Sequence, residues 1–306
     1  MTLTRPIFPD PTFGAPPSNV MEDLRRHGIR AAPRSVEPLH GGRTNRLWRL
    51  STDSDVLVLK LYSAPDDNPL FENDPEREGA ALVALAGSLL APRFHLSGAT
   101  AAGSWLLYHH VPGGTWESGA QPVAEALGRI HAFAGMQGTL PVRPGGSRAL
   151  RAQGLQALAG TWGQDRAELD ALQEQLSDVD IPPVASPAPI HGDPVPGNAI
   201  PGPSGVVFID WQCPALGDPA EDLALFLSPA MQMLYRGAPL DAGAERDFLE
   251  AYPDKAVVER HARLKPWFHW RMAAYCLWQV ARGNHDYADG FVLERDALKR
   301  QRSLSA

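Results

Sequence analysis

Residues 190–223 read IHGDPVPGNAIPGPSGVVFIDWQCPALGDPAEDL. Asp193 and Asn198 stand five apart on a loop stiffened by Pro194 and Pro196, and Asp210 lies twelve residues after Asn198, at the end of the apolar run Val206–Ile209. A hairpin returning from Asn198 to Asp210 brings both oxygen donors to one place. Hard oxygen donors at a strand end suit magnesium, and magnesium suits a polyphosphate. The separate carboxylate of Asp193 can accept a proton from a hydroxyl. A base, an asparagine and a metal-holding carboxylate are the parts that phosphoryl transfer needs.

The first third of the chain is strand-rich. Ser35 to Tyr62 holds a Gly-Gly turn, a strand near 45–51, a polar turn, and the strand VLVLKLY. A helix PEREGAALVALAGSLL follows, with Pro75 in its first turn and Ala81, Leu82, Leu85 and Leu89 at helical spacing. Asn19 can cap a short helix ended by Gly28. Two further strands are expected near 93–97 and 104–110, ending at Pro112-Gly113-Gly114. Beyond that linker the chain reads as helical, with helices around 120–135, 149–177, 219–228, 243–251 and 257–282. Strands first and helices after predict an α+β fold of two lobes with a cleft between them. The expected division is 1–110, including an irregular arm at 1–17, and 111–306.

Composition narrows the function. With 28 Lys and Arg against 35 Asp and Glu, the net charge is −7, which disfavours a nucleic-acid partner. No segment reads as a signal peptide or a membrane span, so a cytoplasmic protein is expected, with Cys213 and Cys276 as reduced thiols.

His191-Gly192-Asp193, Asn198, Ile209-Asp210-Trp211, Gly217-Asp218-Pro219 and Asp222-Leu223 together resemble the signature of the aminoglycoside phosphotransferase and choline kinase superfamily. The resemblance implies a protein-kinase-like fold: an N-terminal antiparallel-sheet lobe with one helix and a larger, mainly helical C-terminal lobe. It implies Asp193 as catalytic base, Asn198 and Asp210 as magnesium ligands, and His191, Asp218 and Asp222 as structural support. ATP or GTP would be the co-substrate. A kinase-type site also needs a strand lysine for the phosphates and a helix glutamate to fix it. Lys60 ends an apolar strand, where an unpaired charge is costly. Glu78 follows 18 residues later, with Glu72 and Glu76 as rivals. There is no GxGxxG; Gly41-Gly42-Arg43-Thr44-Asn45 resembles the phosphate-covering loop of choline-kinase-type members, so Gly41, Gly42, Thr44 and Asn45 are expected there. By the same resemblance the stretch through His109 and Val111 should face adenine with backbone groups.

The acceptor is read from the aromatic helix 265–278. Trp267, Trp270 or Arg271, and Trp278 share one face and could hold a quaternary ammonium by cation–π attraction, or could simply be core. The negative net charge favours a cationic small molecule. Arg143, Arg148 and Arg151 could instead meet an anionic one. The expected activity is an ATP-dependent small-molecule kinase, choline or ethanolamine first and amino sugars second. The alternatives are a nucleotide-binding pseudokinase, or a protein kinase, which the missing Ala-Pro-Glu element and activation segment disfavour.

Overall fold

The computed structural model describes residues 14–29, 35–39, 43–63, 67–176 and 180–303. Helix α1 (Ser18–Arg26) precedes strands β1 (Ser35–Leu39), β2 (Arg46–Ser51) and β3 (Val56–Leu61), and helix α2 (Pro75–Ala84) separates these from β4 (Phe94–Thr100) and β5 (Gly103–His109). The five strands form one antiparallel sheet in the order β1-β2-β3-β5-β4. Helices α3 (Gln121–His131), α4 (Gly146–Leu158) and α5 (Gln164–Glu174) follow. Four short strands come next: β6 (Ala188–Ile190), β7 (Ala199–Gly202), β8 (Gly205–Phe208) and β9 (Ala215–Gly217). The chain closes with α6 (Pro219–Leu227), α7 (Pro229–Arg236), α8 (Ala242–Ala251), α9 (Lys255–Ala281) and α10 (Ala288–Ser303). The α+β order is the one expected.

Strand β3 lies at the centre of the sheet, and both its faces are covered. Leu57, Leu59 and Leu61 pack with Val20 and Leu24 of α1 on one side. Val58 and Tyr62 pack with Ala81 and Leu82 of α2 on the other. That double burial explains the nearly unbroken apolar run, since alternate side chains of a strand point to opposite faces. Lys60 shares the α2 side by this alternation, so the one charge in the run faces the helix that carries Glu78. Asp74 caps α2, accepting from the N–H groups of Glu76 and Arg77 at 3.0 Å each.

Several boundaries differ from expectation. α1 starts from Pro17, and Asn19 lies inside it. α2 stops at Ala84; Leu89 adopts φ 61° and is exposed rather than continuing the apolar face. The single helix expected over 149–177 is two, because Gly160 and Gly163 take φ values of 77° and 102°, open to glycine but not to a helix. α7 and α10 were not anticipated. Residues 1–13, most of the expected arm, lie outside the described residues.

The helical part packs around α9. Leu150, Leu169, Leu225, Leu264 and Trp270 belong to one buried cluster. Among the described residues no helix is long and apolar enough to cross a membrane.

Candidate active site

The loop after β6 and the β7–β8 hairpin put three polar side chains at one end. Ala199 pairs with Phe208 in the hairpin, and the Ile209 N–H donates to the Asn198 carbonyl at 2.9 Å. Asn198 therefore stands beside Asp210. Asn198 Nδ2 also donates to the Asp193 carbonyl at 2.9 Å and to Asp193 Oδ2 at 3.2 Å. The amide so oriented turns its Oδ1 away from Asp193. Asp210 holds a left-handed backbone, φ 64°, which Asp tolerates better than most residues.

Lys60 reaches this point from β3. Its Nζ lies 2.5 Å from Glu78 Oε2 and also donates to Asp210 Oδ1. Tyr62 donates its hydroxyl to the same Glu78 oxygen at 2.5 Å. Glu72 and Glu76 take no part; Glu72 pairs with Arg77. Burial alone would lower the Lys60 pKa, but the Asp210 and Glu78 carboxylates outweigh it and hold the amine above the ordinary lysine range. A buried charge is tolerable because each partner is matched.

The loop itself is pinned from below. His191 Nδ1 accepts from the Asp193 N–H at 3.2 Å, and its Nε2 donates to the Ile209 carbonyl at 3.1 Å. A backbone N–H can only donate and a carbonyl only accept, so the ring is neutral. Burial also pushes its pKa down to about 4. Asp222 accepts from the N–H groups of His191 at 2.8 Å and Gly192 at 2.9 Å, and from His131 Nε2 at 3.0 Å. Burial would raise the Asp222 pKa, but His131 and these donors hold it below its usual value. Gly192 has φ 82°, and a Cβ there would stand 2.2 Å from the Cys213 carbonyl. Asp218 caps α6 through the Ala220 N–H at 3.1 Å and pairs with Arg260 at 2.7 Å. Burial and the Asp210 charge push Asp193 up to about 8, against the Asn198 hydrogen bond.

On the strand side, Gly41 and Gly42 of the expected loop lie outside the described residues. Asn45 is buried; its Nδ2 donates to Asn73 Oδ1 at 2.8 Å and Gln212 Oε1 at 3.0 Å, and its Oδ1 accepts from Ser63 N at 3.1 Å. Its side chain thus ties the loop to the turn after Asp210. The Thr44 carbonyl accepts from Ser63 Oγ at 2.5 Å. The His109 N–H donates to Arg93 O and the His110 N–H to Val56 O, both at 2.9 Å, so these two N–H groups belong to the sheet. Of the expected pair, only the Val111 N–H stays a candidate to face adenine as a donor.

The aromatic helix divides. Trp270 is fully buried, and its Nε1 donates to the Leu169 carbonyl at 3.0 Å. Gly154 of α4 lies against the ring so closely that a Cβ would approach to 2.2 Å. Trp270 is therefore core and walls no pocket, a correction to its expected place. Trp267 packs edge-on against it with ring centroids 6.0 Å apart. Arg271 is buried and pairs with Glu221 at 2.9 Å and Gln153 at 2.7 Å. Trp278 lies one turn from Tyr275, stacked at 5.7 Å, beneath the Arg282 guanidinium at 4.6 Å. A cavity of about 470 Å³ opens along α9 by His261, Phe268, His269 and Glu294, and Asp193, Asn198 and Asp210 do not line it. Arg143 donates to the Cys213 carbonyl at 2.7 Å, and the exposed Arg148 pairs with Asp180.

Two aromatic residues near the loop, Tyr235 and Tyr287, were not singled out from the sequence. Tyr235 of α7 covers Gly197, where a Cβ would meet its ring at 2.4 Å. Tyr287 stands edge-on to Tyr275 with centroids 5.9 Å apart. Tyr235 and Tyr287 flank the Arg43 guanidinium. An Asp-Tyr pair just past the end of α9 was the available signal for Asp286 and Tyr287, but it has no period to mark it.

A family model for the phosphotransferase enzyme family, APH, matches residues 35–267. The chain belongs to that family, and it is a small-molecule phosphotransferase. Its structure is similar to the choline kinase LicA from Streptococcus pneumoniae, at 19% identity over 92% of this chain and 96% of that one, with a TM-score of 0.62. It is also similar to a choline kinase from Cryptosporidium parvum, at 12% identity over 93% and 94% of the two chains, TM-score 0.65. A thermostable mutant of the aminoglycoside phosphotransferase APH(4)-Ia, in a ternary complex with ADP and hygromycin B, matches at 15% identity over 93% and 99%, TM-score 0.65. These likenesses establish the bilobal kinase-like fold. No curated protein matches the chain by sequence.

Proposed function

We propose that the protein transfers the γ-phosphate of ATP to a hydroxyl group of a small cationic metabolite, an amino alcohol of the choline or ethanolamine type first and an amino sugar second. The observation that carries the transfer is the convergence of Asp193, Asn198, Asp210 and Lys60 on one point from the loop, the hairpin and β3. In this reading residues 1–110 cover the nucleotide and residues 111–306 shape the acceptor site. Lys60, fixed by Glu78, binds the phosphates. Asp193 orients the acceptor hydroxyl and takes its proton. His191 and Asp222 hold the loop that presents it.

The donor set fits magnesium. Asn198 and Asp210 offer two oxygen ligands, the Asp210 side chain is 31% exposed, and no cluster of three His, Cys, Asp or Glu that could hold a metal occurs among the described residues. Two side chains with phosphate oxygens and water are how magnesium is usually held. Bound there, the ion would neutralise phosphate charge.

The acceptor class rests on a different observation: beside the Asp193 loop, two tyrosine rings and a carboxylate surround a cation. Aromatic faces with an acid select organic cations. An ADP-release assay over choline, ethanolamine, amino sugars and glycerol tests both parts. Turnover with the cationic alcohols and little with glycerol is expected. Glycerol as the best acceptor would overturn the acceptor class. ATP binding with no turnover on any of them would favour a nucleotide-binding regulatory module.

A further inference from the structure

Arg43 belongs to the segment that leads into β2, yet its guanidinium lies among side chains of the helical part. Its Cζ is 5.7 Å from the Tyr235 ring centroid and 5.2 Å from that of Tyr287. Its Nη2 is 2.7 Å from Asp286 Oδ2, and the two side chains are 21% and 23% exposed. The approach is a single close contact with poor alignment: Asp286 Oδ2 is buried, and no well-aligned donor reaches it among the described residues. A guanidinium built in as a permanent anchor characteristically meets a carboxylate with two parallel, aligned N–H donors. This one has two cation–π contacts and one close, poorly aligned approach to a single carboxylate oxygen. The cation–π and Coulombic parts of these contacts are ones any organic cation can make in the same place.

The same cage lies against the catalytic loop through Tyr235 and Gly197. The base of the Arg43 segment is fixed independently, by the Asn45 bonds to Asn73, Ser63 and Gln212. The arginine side chain can therefore leave the cage by rotating about its own bonds while the segment beneath it stays in place.

We infer that Arg43 is a resident stand-in for the cationic group of the acceptor: it fills the Tyr235–Tyr287–Asp286 cage when the acceptor is absent and must be displaced for the acceptor to bind. The inference rests on the proposed cationic acceptor. Arg43 then sets the apparent affinity for that substrate, because a site open only part of the time binds more weakly by the open fraction. If the arginine occupies the cage about nine-tenths of the time, removing it tightens binding roughly tenfold.

Calorimetry with tetramethylammonium, a cation that cannot be phosphorylated, tests this on the full chain without nucleotide. Arg43→Ala and Arg43→Gln are each expected to bind the probe roughly tenfold more tightly than wild type, and Arg43→Lys to bind it about as wild type does. Adding Asp286→Asn to Arg43→Ala should abolish the gain. If the probe binds wild type and both neutral variants equally, or the variants more weakly, the inference falls while the cationic acceptor stands. If the gain survives Asp286→Asn, the probe sits elsewhere and the inference falls. If no form binds the probe, the inference and the cationic acceptor fall together.

Discussion

On the Lys60 side of the site every charge has a partner within the chain, whereas on the α9 side aromatic faces are covered by arginines that another cation could replace. Lys60 and Glu78 are buried and paired, and Lys60 also pairs with Asp210, whose side chain opens to the cleft. Tyr287 and Trp278 lie under Arg43 and Arg282, whose carboxylate partners Asp286 and Asp67 come from elsewhere in the chain. The difference separates a permanent apparatus from an exchangeable one. It also separates two tryptophans of one helix, since Trp270 and Trp278 share α9 but only Trp278 meets a cation.

The largest effect expected comes from exchanging those tryptophans. Trp270→Ala removes a fully buried ring and should cost about 3–5 kcal/mol of stability in urea unfolding, with both KM values unchanged. Trp278→Ala should do the opposite, raising the acceptor KM by an amount worth about 0.5–2 kcal/mol of cation–π contact and sparing more of the stability. A raised acceptor KM in Trp270→Ala at full stability would erase the distinction. Next come the two carboxylates. Asp193→Asn should keep magnesium-ATP affinity and lose roughly 10²-fold or more in turnover, while Asp210→Ala should lose the affinity itself. Calorimetry beside steady-state rates tells them apart, and turnover of Asp193→Asn within a factor of two of wild type would remove Asp193 as the base.

The smallest effect is a pH dependence. Burial depresses His191 to about 4 and His261, on the cavity side of α9, to about 3. Both are neutral in the folded chain, so the unfolded chain takes up their protons first. Their contribution is complete above the ordinary histidine pKa of about 6.5 and is lost as pH falls toward the folded values. Asp193, raised to about 8, acts in the opposite sense, stabilising the fold as pH falls. The difference between wild type and His261→Gln isolates one histidine. It should change by up to about 1.4 kcal/mol per pH unit between pH 6.5 and pH 4, and a flat difference would show that His261 is protonated in the fold.

What could be read in advance follows the same division. A lysine inside VLVLKLY has few ways to be satisfied, and a hairpin between Asn198 and Asp210 has little freedom in where it ends, so these groupings were legible. Helical period says only that residues share a face, not which neighbour that face meets. It could not tell Trp270 from Trp278, nor foresee that Gly160 and Gly163 would break a long helix in two. Asn45 and Arg43 were invisible in another way, because their partners Gln212 and Asp286 lie far along the chain. The residues of the phosphate-covering loop were chosen by resemblance, and Asn45 shows that a matching residue can hold the loop in place.

Asp222 carries a consequence for motion. One carboxylate, wholly buried, takes the backbone N–H of both His191 and Gly192 while joined to His131 of α3. The segment bearing Asp193 cannot peel away without stranding that charge and opening the contact between α3 and α6. Most connecting segments fluctuate on their own, at little cost. This one is tied to two helices at once, so His191 and Gly192 should shed their amide hydrogens to solvent only when the helical half comes apart as a whole.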